Sequence, residues 1–360
     1  MASIREIAQL AGVSPSTVSR VLNNPQYRCS SEEVRERIWR IAREQNYLPN
    51  EAARNLKLGI RPDTGPATRV DVLFTRSSPA QADPFFNELF RYVESEVHAS
   101  HGIVARTWHE TAFCGELAGR RAGAERLVAR LLGDADEHHA DGLIVLGRCD
   151  PAALELFSKR YRAVVAISRD PTGFAVDEVV CDGRRIAERA IGHLCELGHR
   201  HIGYAGRCQG GSLYLGYQEA LARHGIALDP RAIMPCEHTE TSGYEAMDAL
   251  MQSDSAPSAI FCANDALAIG MIQRLAQGRR QYYRPSIIGV DDIEEGQFVR
   301  PMLTSIGMPK AEMARAAVQL LGDRIAGGHR SPMAVQFDCH LMERESCLAH
   351  SGPNSIEYII

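Results

Sequence analysis

Long apolar runs are missing from this chain. No stretch of about 18 consecutive apolar residues occurs, so no segment is expected to cross a bilayer as a helix. The first residues, MASIREIAQLAG, carry acid and base at helical spacing and lack the apolar core of a secretion signal, which points to a cytoplasmic protein. Ten cysteines are scattered with no C-x-x-C pair, which reads as reduced, mostly buried thiols. The motifs G-x-x-x-x-G-K-S/T, H-E-x-x-H and G-x-S-x-G are also absent. His138-His139 lies in DADEHHAD, a polar stretch that reads as a solvated loop, and His199-Arg200-His201 reads as a turn into a strand. Neither pair has a matched ligand set nearby. The sequence therefore assigns no catalytic residue, no metal and no cofactor, and an enzyme is not expected.

What is present is a chain of 360 residues, 45% hydrophobic and 24% charged, large enough for a small head and a core of two lobes. Its charge is uneven. Residues 1–60 hold nine Lys/Arg and six Asp/Glu, a balance of +3, against 31 and 39 in the remainder, a balance of −8. A basic head on an acidic body suits nucleic-acid binding through the head. Within the head, Ser3-x-x-Glu6 is a capping box opening a helix from Ile4 to about Leu10, with Ile7, Ala8 and Leu10 on its buried side. Gly12 can take the positive φ of a tight turn. Ser14 is a good N-cap, Pro15 suits a first helical turn, and Val18, Val21 and Leu22 form the apolar stripe of a second helix ending near Asn23. A third runs from about Ser31 to Gln45, with Val34, Ile38, Ile41 and Ala42 at helical spacing. The second helix can pack on the first and lay its polar face in a DNA major groove.

Two motifs, IREIAQLAGVSPSTVSRVLN and then NYLPNEAARNLKLG, resemble the head and hinge of the lactose-repressor/galactose-repressor family. The likeness runs to about Cys347. It implies a small all-α helix-turn-helix head at 1–48, a hinge helix and linker at 49–69, a two-lobed α/β periplasmic-binding-protein-like body with parallel sheets at 70–347, and a tail at 348–360. It also implies that Pro15, Ser16 and Arg20 meet base edges. Arg20 can donate two hydrogen bonds to a guanine, whereas Pro15 can offer only apolar contact. Thr17, Ser19 and Asn23 are expected at phosphates, with helix capping or a solvated face as the alternative for each hydroxyl. The hinge segment Glu51–Leu58 is too short to be a stable helix alone. In the family it folds when two copies meet on DNA. Leu56 occupies the position of the leucine that wedges into the minor groove, with Ala53 on the same face and Arg54 and Asn55 near phosphates. Ile60–Arg69 then reads as a linker, with two prolines and one glycine.

From Val70 onward, short apolar runs alternate with amphipathic helices, which predicts parallel sheets covered by helices on both faces. The helix from about Pro309 to Ala326 is expected to return to the first lobe, packing Met313, Ala317, Leu320 and Leu321 on its core. The chain is expected to cross between lobes near Ser168, near Asp292–Arg300 and near His329–Ser331. Ligands of open parallel sheets sit at the carboxyl ends of strands. That rule selects Thr75, Phe85 and Phe86 after the first strand, Ser168 and Arg169, Asn264 and Asp291. Asn264 can instead cap the helix that starts at Asp265, and Phe85 can be plain core. The sequence departs from the family at two places. Ser168 stands where many sugar-responsive members carry Asp, and Ser212–Leu215 stand where many carry an effector-binding arginine, Arg207 lying further upstream.

The reading is a sequence-specific DNA-binding transcriptional regulator without a membrane partner. It is expected to act as a repressor and homodimer on a palindromic operator, controlled by a small molecule between the lobes. A saccharide is favoured over a purine. The alternatives are a co-repressed regulator responding to a purine or other metabolite, and a sugar-binding transport-type protein. The tail after Cys347 has no leucine heptads, which argues against a C-terminal coiled-coil tetramer.

Overall fold

A computed structural model describes residues 4–15, 17–18, 21, 34–35, 37–38, 40–41, 67–76, 83–114, 121–133, 140–209, 211–277 and 283–350. The chain divides into two compact units, Met1–Pro66 and Ala67–Ile360.

In the first unit, α1 (Ile4–Ala11) leads into Gly12 at φ 64°. The Ser14 hydroxyl accepts the Thr17 amide at 3.1 Å, so the next helix starts with the cap its sequence predicts. Ile7, Ala8, Ala11, Val18, Val21, Ile38 and Ile41 form one core. Leu10, expected inside, is 59% exposed. Ile7, Ala8 and Ala11 share one helical face, and Leu10 falls roughly 100° from its centre. Leu22 and Ala42 lie outside the described residues.

The second unit holds two six-stranded sheets. The chain makes β1 (Arg69–Phe74), α2 (Pro84–Ala99), β2 (Ile103–His109), α3 (Arg121–Leu132), β3 (Gly142–Leu146), α4 (Pro151–Ser158), β4 (Ala163–Ser168) and β5 (Asp177–Cys181). It continues with α5 (Gly183–Glu196), β6 (Ile202–Ala205), α6 (Ser212–Arg223), β7 (Ile233–Met234), α7 (Glu240–Leu250), β8 (Ala259–Cys262), α8 (Asp265–Gln277), β9 (Ser286–Asp291) and β10 (Thr304–Gly307). Last come α9 (Lys310–Ala326), β11 (Ala334–Phe337) and β12 (His340–Met342). The first sheet runs β11-β5-β4-β3-β1-β2 and is parallel throughout. The second runs β12-β10-β9-β8-β6-β7, parallel except where β12 opposes β10.

The period of a strand explains why the first sheet is covered twice. Val70, Val72 and Phe74, with Ile144, Leu146, Val165 and Ile167, face one core, while Leu73, Leu143, Val145, Val164 and Ala166 face another. The same Asp-Pro device starts two of the covering helices. Asp83 accepts the Phe85 amide at 3.0 Å ahead of α2, and Asp150 accepts the Ala152 amide at 2.8 Å ahead of α4.

Helix α9 packs against α2, β3, β4 and β5, with Met313, Ala317, Leu320 and Leu321 buried, so it does return to the first lobe. The three crossings lie elsewhere than expected. They fall at Asp182, at Met308–Pro309 and at Asp338–Cys339, rather than near Ser168, Asp292–Arg300 and His329–Ser331. The reason is that β5 and β11 belong to the first sheet and β10 to the second, so each lobe keeps the chain for one more strand. DEVVC begins with two acids and does not read as a buried strand. Asp177 is tolerated there because its carboxylate accepts Arg324 Nη2 at 2.7 Å, His329 Nε2 at 2.9 Å and the Met333 amide at 2.8 Å. Burial works against ionisation of Asp177, but these bonds hold it below the ordinary carboxylate value.

Candidate functional site

The carboxyl ends of both sheets open onto one cavity of about 770 Å³. Arg76 follows β1, Arg148 follows β3, and Arg169 and Asp170 follow β4, so the first lobe supplies its wall from three parallel strand ends. The second lobe supplies Tyr204 on β6, Arg207 just beyond it, Ser212, Leu213 and Tyr214 at the start of α6, and Glu237 and His238 after β7.

Several side chains reach across. Arg169 Nη1 donates to the Ala263 carbonyl at 3.0 Å and lies 3.6 Å from Asp291 Oδ1. Burial alone would lower the Arg169 guanidinium, yet Asp291 and Asp170 hold it above its ordinary value. Asp291 is itself 2% exposed, and burial pushes its carboxyl up to about 7 against the pull of Arg169. Its backbone sits at φ 112°, a costly conformation for a non-glycine residue. Asp170 Oδ1 accepts the Ser212 amide at 2.7 Å, and the Ser212 hydroxyl donates to the Arg169 carbonyl at 3.0 Å. The N-cap of α6 is Gly211, which has no side chain to offer, so the opposite lobe supplies the acceptor. Arg76 Nη2 donates to His238 Nδ1. Burial, then Arg76, Arg169 and Arg207, push the His238 ring well below its ordinary value, so it accepts as neutral imidazole. At the second crossing, Lys310 Nζ donates to Glu88 Oε2 at 2.5 Å in the first lobe and to the Asp291 and Asp292 carbonyls at 3.1 and 3.0 Å in the second.

The residues selected from strand ends are distributed unevenly around this cavity. Arg169 lines it. Asp291 stands directly behind Arg169. Ser168, Phe85 and Phe86 line an adjoining small pocket of about 10 Å³ that shares Arg76, Arg148, Arg169 and Asp170 with the cavity, the two rings packing edge to face at 5.1 Å. Thr75 is fully buried, and its hydroxyl donates to the Leu146 carbonyl at 3.1 Å. Asn264 Oδ1 accepts the Leu267 amide at 3.1 Å, the capping alternative, while Nδ2 donates to the His238 carbonyl at 3.3 Å. Sequence reasoning missed Arg76, Arg148, Tyr204 and His238. The strand-end rule would have found Arg148, since it follows GLIVL by one glycine. Arg207 occupies the cavity wall, paired with Glu237 Oε2 through Nε at 2.9 Å. His199 is a core residue. Its ring lies 2.9 Å from both the Ser258 and Ser286 hydroxyls, and burial lowers it to about 4. His138-His139 lies outside the described residues.

In the head, Pro15 is exposed and Thr17 half-buried, with the Thr17 and Ser14 hydroxyls 2.8 Å apart. Ser16, Ser19, Arg20, Asn23, Ala53, Arg54, Asn55 and Leu56 lie outside the described residues, as does the hinge segment.

The description of bacterial regulatory proteins of the lacI family matches residues 3–50, and that of a periplasmic binding protein-like domain matches residues 191–347. The HTH-type transcriptional repressor CytR of Escherichia coli is 30% identical, with 97% of each chain covered. The HTH-type transcriptional repressor PurR of Erwinia tasmaniensis is 29% identical, covering 96% of this chain and 97% of its own. A solved complex of the transcriptional regulator CelR with cellobiose superposes with a TM-score of 0.64 at 26% identity, over 96% of this chain and all of the other. Head, sheet topology, cleft and whole-length similarity agree: the chain belongs to the lacI family of bacterial DNA-binding transcriptional regulators.

Proposed function

We propose that this protein is a cytoplasmic homodimeric repressor whose operator affinity is set by a small molecule bound between the two lobes. The observation that carries this is the cavity at the strand ends, spanned by Arg169, Asp170 and Arg76, each holding a group of the opposite lobe. A ligand there touches both walls, so it binds one arrangement of the lobes better than another and shifts their equilibrium. A coupling of about 1–3 kcal/mol changes operator occupancy by roughly 5–150-fold. The two heads of a dimer match a palindromic site by symmetry. Ser16 and Arg20 meet base edges in the major groove in this reading, Asn23 holds a phosphate, and Leu56 wedges the minor groove at the centre of the site.

The test is a gel-shift on DNA flanking the gene, with and without candidate ligands. Affinity that falls with ligand supports induction, and affinity that rises supports co-repression. Absence of binding to any palindromic site there refutes the reading and leaves a transport-type binder. Leu56→Ala is expected to weaken specific binding at least tenfold while sedimentation still shows a dimer.

A further inference from the structure

Two cysteines meet where the chain passes between the lobes. Cys181 closes β5, one residue before the crossing at Asp182, and Cys339 stands at the crossing that follows β11. Strands β5 and β11 are parallel neighbours with Cys181 opposite Phe337, so Cys339 lies only two residues past that partner. The Arg189 side chain of α5 reaches Asp338 Oδ2 at 2.9 Å, which holds the third crossing beside the helix that follows the first. Both cysteines are free and buried, 1% and 4% exposed, and the Cys181 thiol donates a hydrogen bond to the Cys339 sulfur. That bond holds Cys339 below the ordinary thiol value against its burial, with the Arg189 guanidinium adding to it, and pushes Cys181 up. Cys149, Cys195, Cys262 and Cys347 are all pushed up, chiefly by burial, as expected of inert structural thiols. A sulfur poised as thiolate against a donor thiol is the arrangement of a nucleophile and its resolving partner.

We propose that Cys181 and Cys339 form a reversible disulfide under hydrogen peroxide, tying the first lobe crossing to the third and restraining one lobe against the other. In the first step the Cys339 thiolate attacks one peroxide oxygen. An S–O bond forms, the O–O bond breaks, and the hydroxide that leaves takes up the proton released by Cys339, giving water. In the second step the Cys181 sulfur attacks the sulfenic sulfur. The S–S bond forms, the S–O bond breaks, and the hydroxyl leaves with the Cys181 proton as a second water. Peroxide is reduced, two thiols are oxidised, and no further reactant is needed. Lobe movement concentrates its φ and ψ changes in a few crossing residues. A disulfide admits a narrow range of Cα separation and torsion, so it fixes two of the three crossings against each other. In a reducing cytoplasm such a bridge is transient, which suits a sensor. The bridge does not depend on what fills the cavity, and only its effect on DNA rests on the regulator reading.

Peptide mapping of the full chain after limited hydrogen peroxide tests it, with free thiols alkylated before digestion without reductant. A peptide linking Cys181 to Cys339 is expected as the main linked species, lost on adding dithiothreitol and absent from Cys339→Ser. Hydrogen exchange at residues 182–184 and 338–340 is expected to slow at least threefold in the oxidised chain and to recover on reduction. Peroxide that leaves the two cysteines unlinked, or links either to another cysteine, overturns the assignment. A linked chain with unchanged exchange overturns the restraint. Mapping of the unaltered chain decides the matter even if Cys339→Ser fails to fold. Gel-shifts of the reduced and oxidised samples keep the two readings apart. A bridge without operator binding in either sample refutes the regulator alone, and operator binding without a bridge refutes this inference alone.

Discussion

The two walls of the cleft are built from the same kind of strand end and yet carry different chemistry. The first lobe projects three arginines from β1, β3 and β4, with Asp170 beside them on the wall and Asp83 close enough to act on Arg76 and Arg169. The second lobe answers chiefly with acceptors and rings, Tyr204, Tyr214, Glu237, the neutral His238 and the Ala263 carbonyl, with Arg207 as its one cation on the cavity wall among the described residues. Donors of the first wall meet acceptors of the second, so the lobes bond directly where they touch, through Arg169 and Arg76. In the proposed reading, these links across the cleft supply the coupling between ligand and lobe arrangement.

The largest effect that would break this contrast is expected from Arg169→Ala. It removes the bond to Ala263 and the cation 3.6 Å from the buried Asp291, which can then take a proton, a loss of about 1.5–3 kcal/mol in urea unfolding. A cost under about 1 kcal/mol would show that the walls do not depend on this link.

Next is pH. Asp291 titrates near 7 in the folded chain against an ordinary value of 3.8, so between those values the folded state holds a proton that the unfolded state has released. Its contribution is therefore fully present below about pH 4, falls as pH rises toward 7 and is gone above. The slope is at most about 1.4 kcal/mol per pH unit. Asp291→Asn should make the stability curve between pH 4 and 7 less steep. The remaining slope would come from Asp83 and Asp265, also raised chiefly by burial. Unfolding midpoints across that range decide it, and an unaltered slope would place the proton elsewhere.

Asp170→Ala removes the acceptor that one lobe lends to the other's helix, a loss of about 1 kcal/mol by analogy with N-caps. Hydrogen exchange at the first turn of α6 should quicken in that variant, and unchanged exchange would argue that water replaces the carboxylate without loss. The smallest change belongs to Glu237→Gln. It breaks an exposed pair and should cost less than about 1 kcal/mol, while sharpening the cationic character of the second wall. Urea unfolding of that variant checks it, and a loss well above about 1 kcal/mol would show that the pair does more than an exposed one.

Much of this molecule was legible in the order of its residues. The alternation of apolar runs with amphipathic helices placed most strands and helices of the body, and Ser14-Pro15 marked the start of a helix in the head. The strands that escaped were all short, DEVVC, the two-residue β7, TSIG, AVQF and the three-residue β12, too few residues each for a period of two to stand out. Missing them moved all three lobe crossings. The same limit governs the site. Rules about strand ends brought out Arg169, which the structure puts on the cavity wall, but could not say that Thr75 spends its hydroxyl on a neighbouring strand's carbonyl.

Residue order alone determined the local elements, the helix caps, the basic head and the family, because each depends on spacing within a few residues or on motifs read whole. Only the tertiary structure decided which strand ends meet. The convergence of Arg76, Arg148, Arg169 and Arg207 joins positions up to 131 residues apart (207 − 76). Their mutual repulsion, the neutral His238 among them and the raised Asp291 behind them arise from distance and burial, quantities that a one-dimensional pattern does not contain.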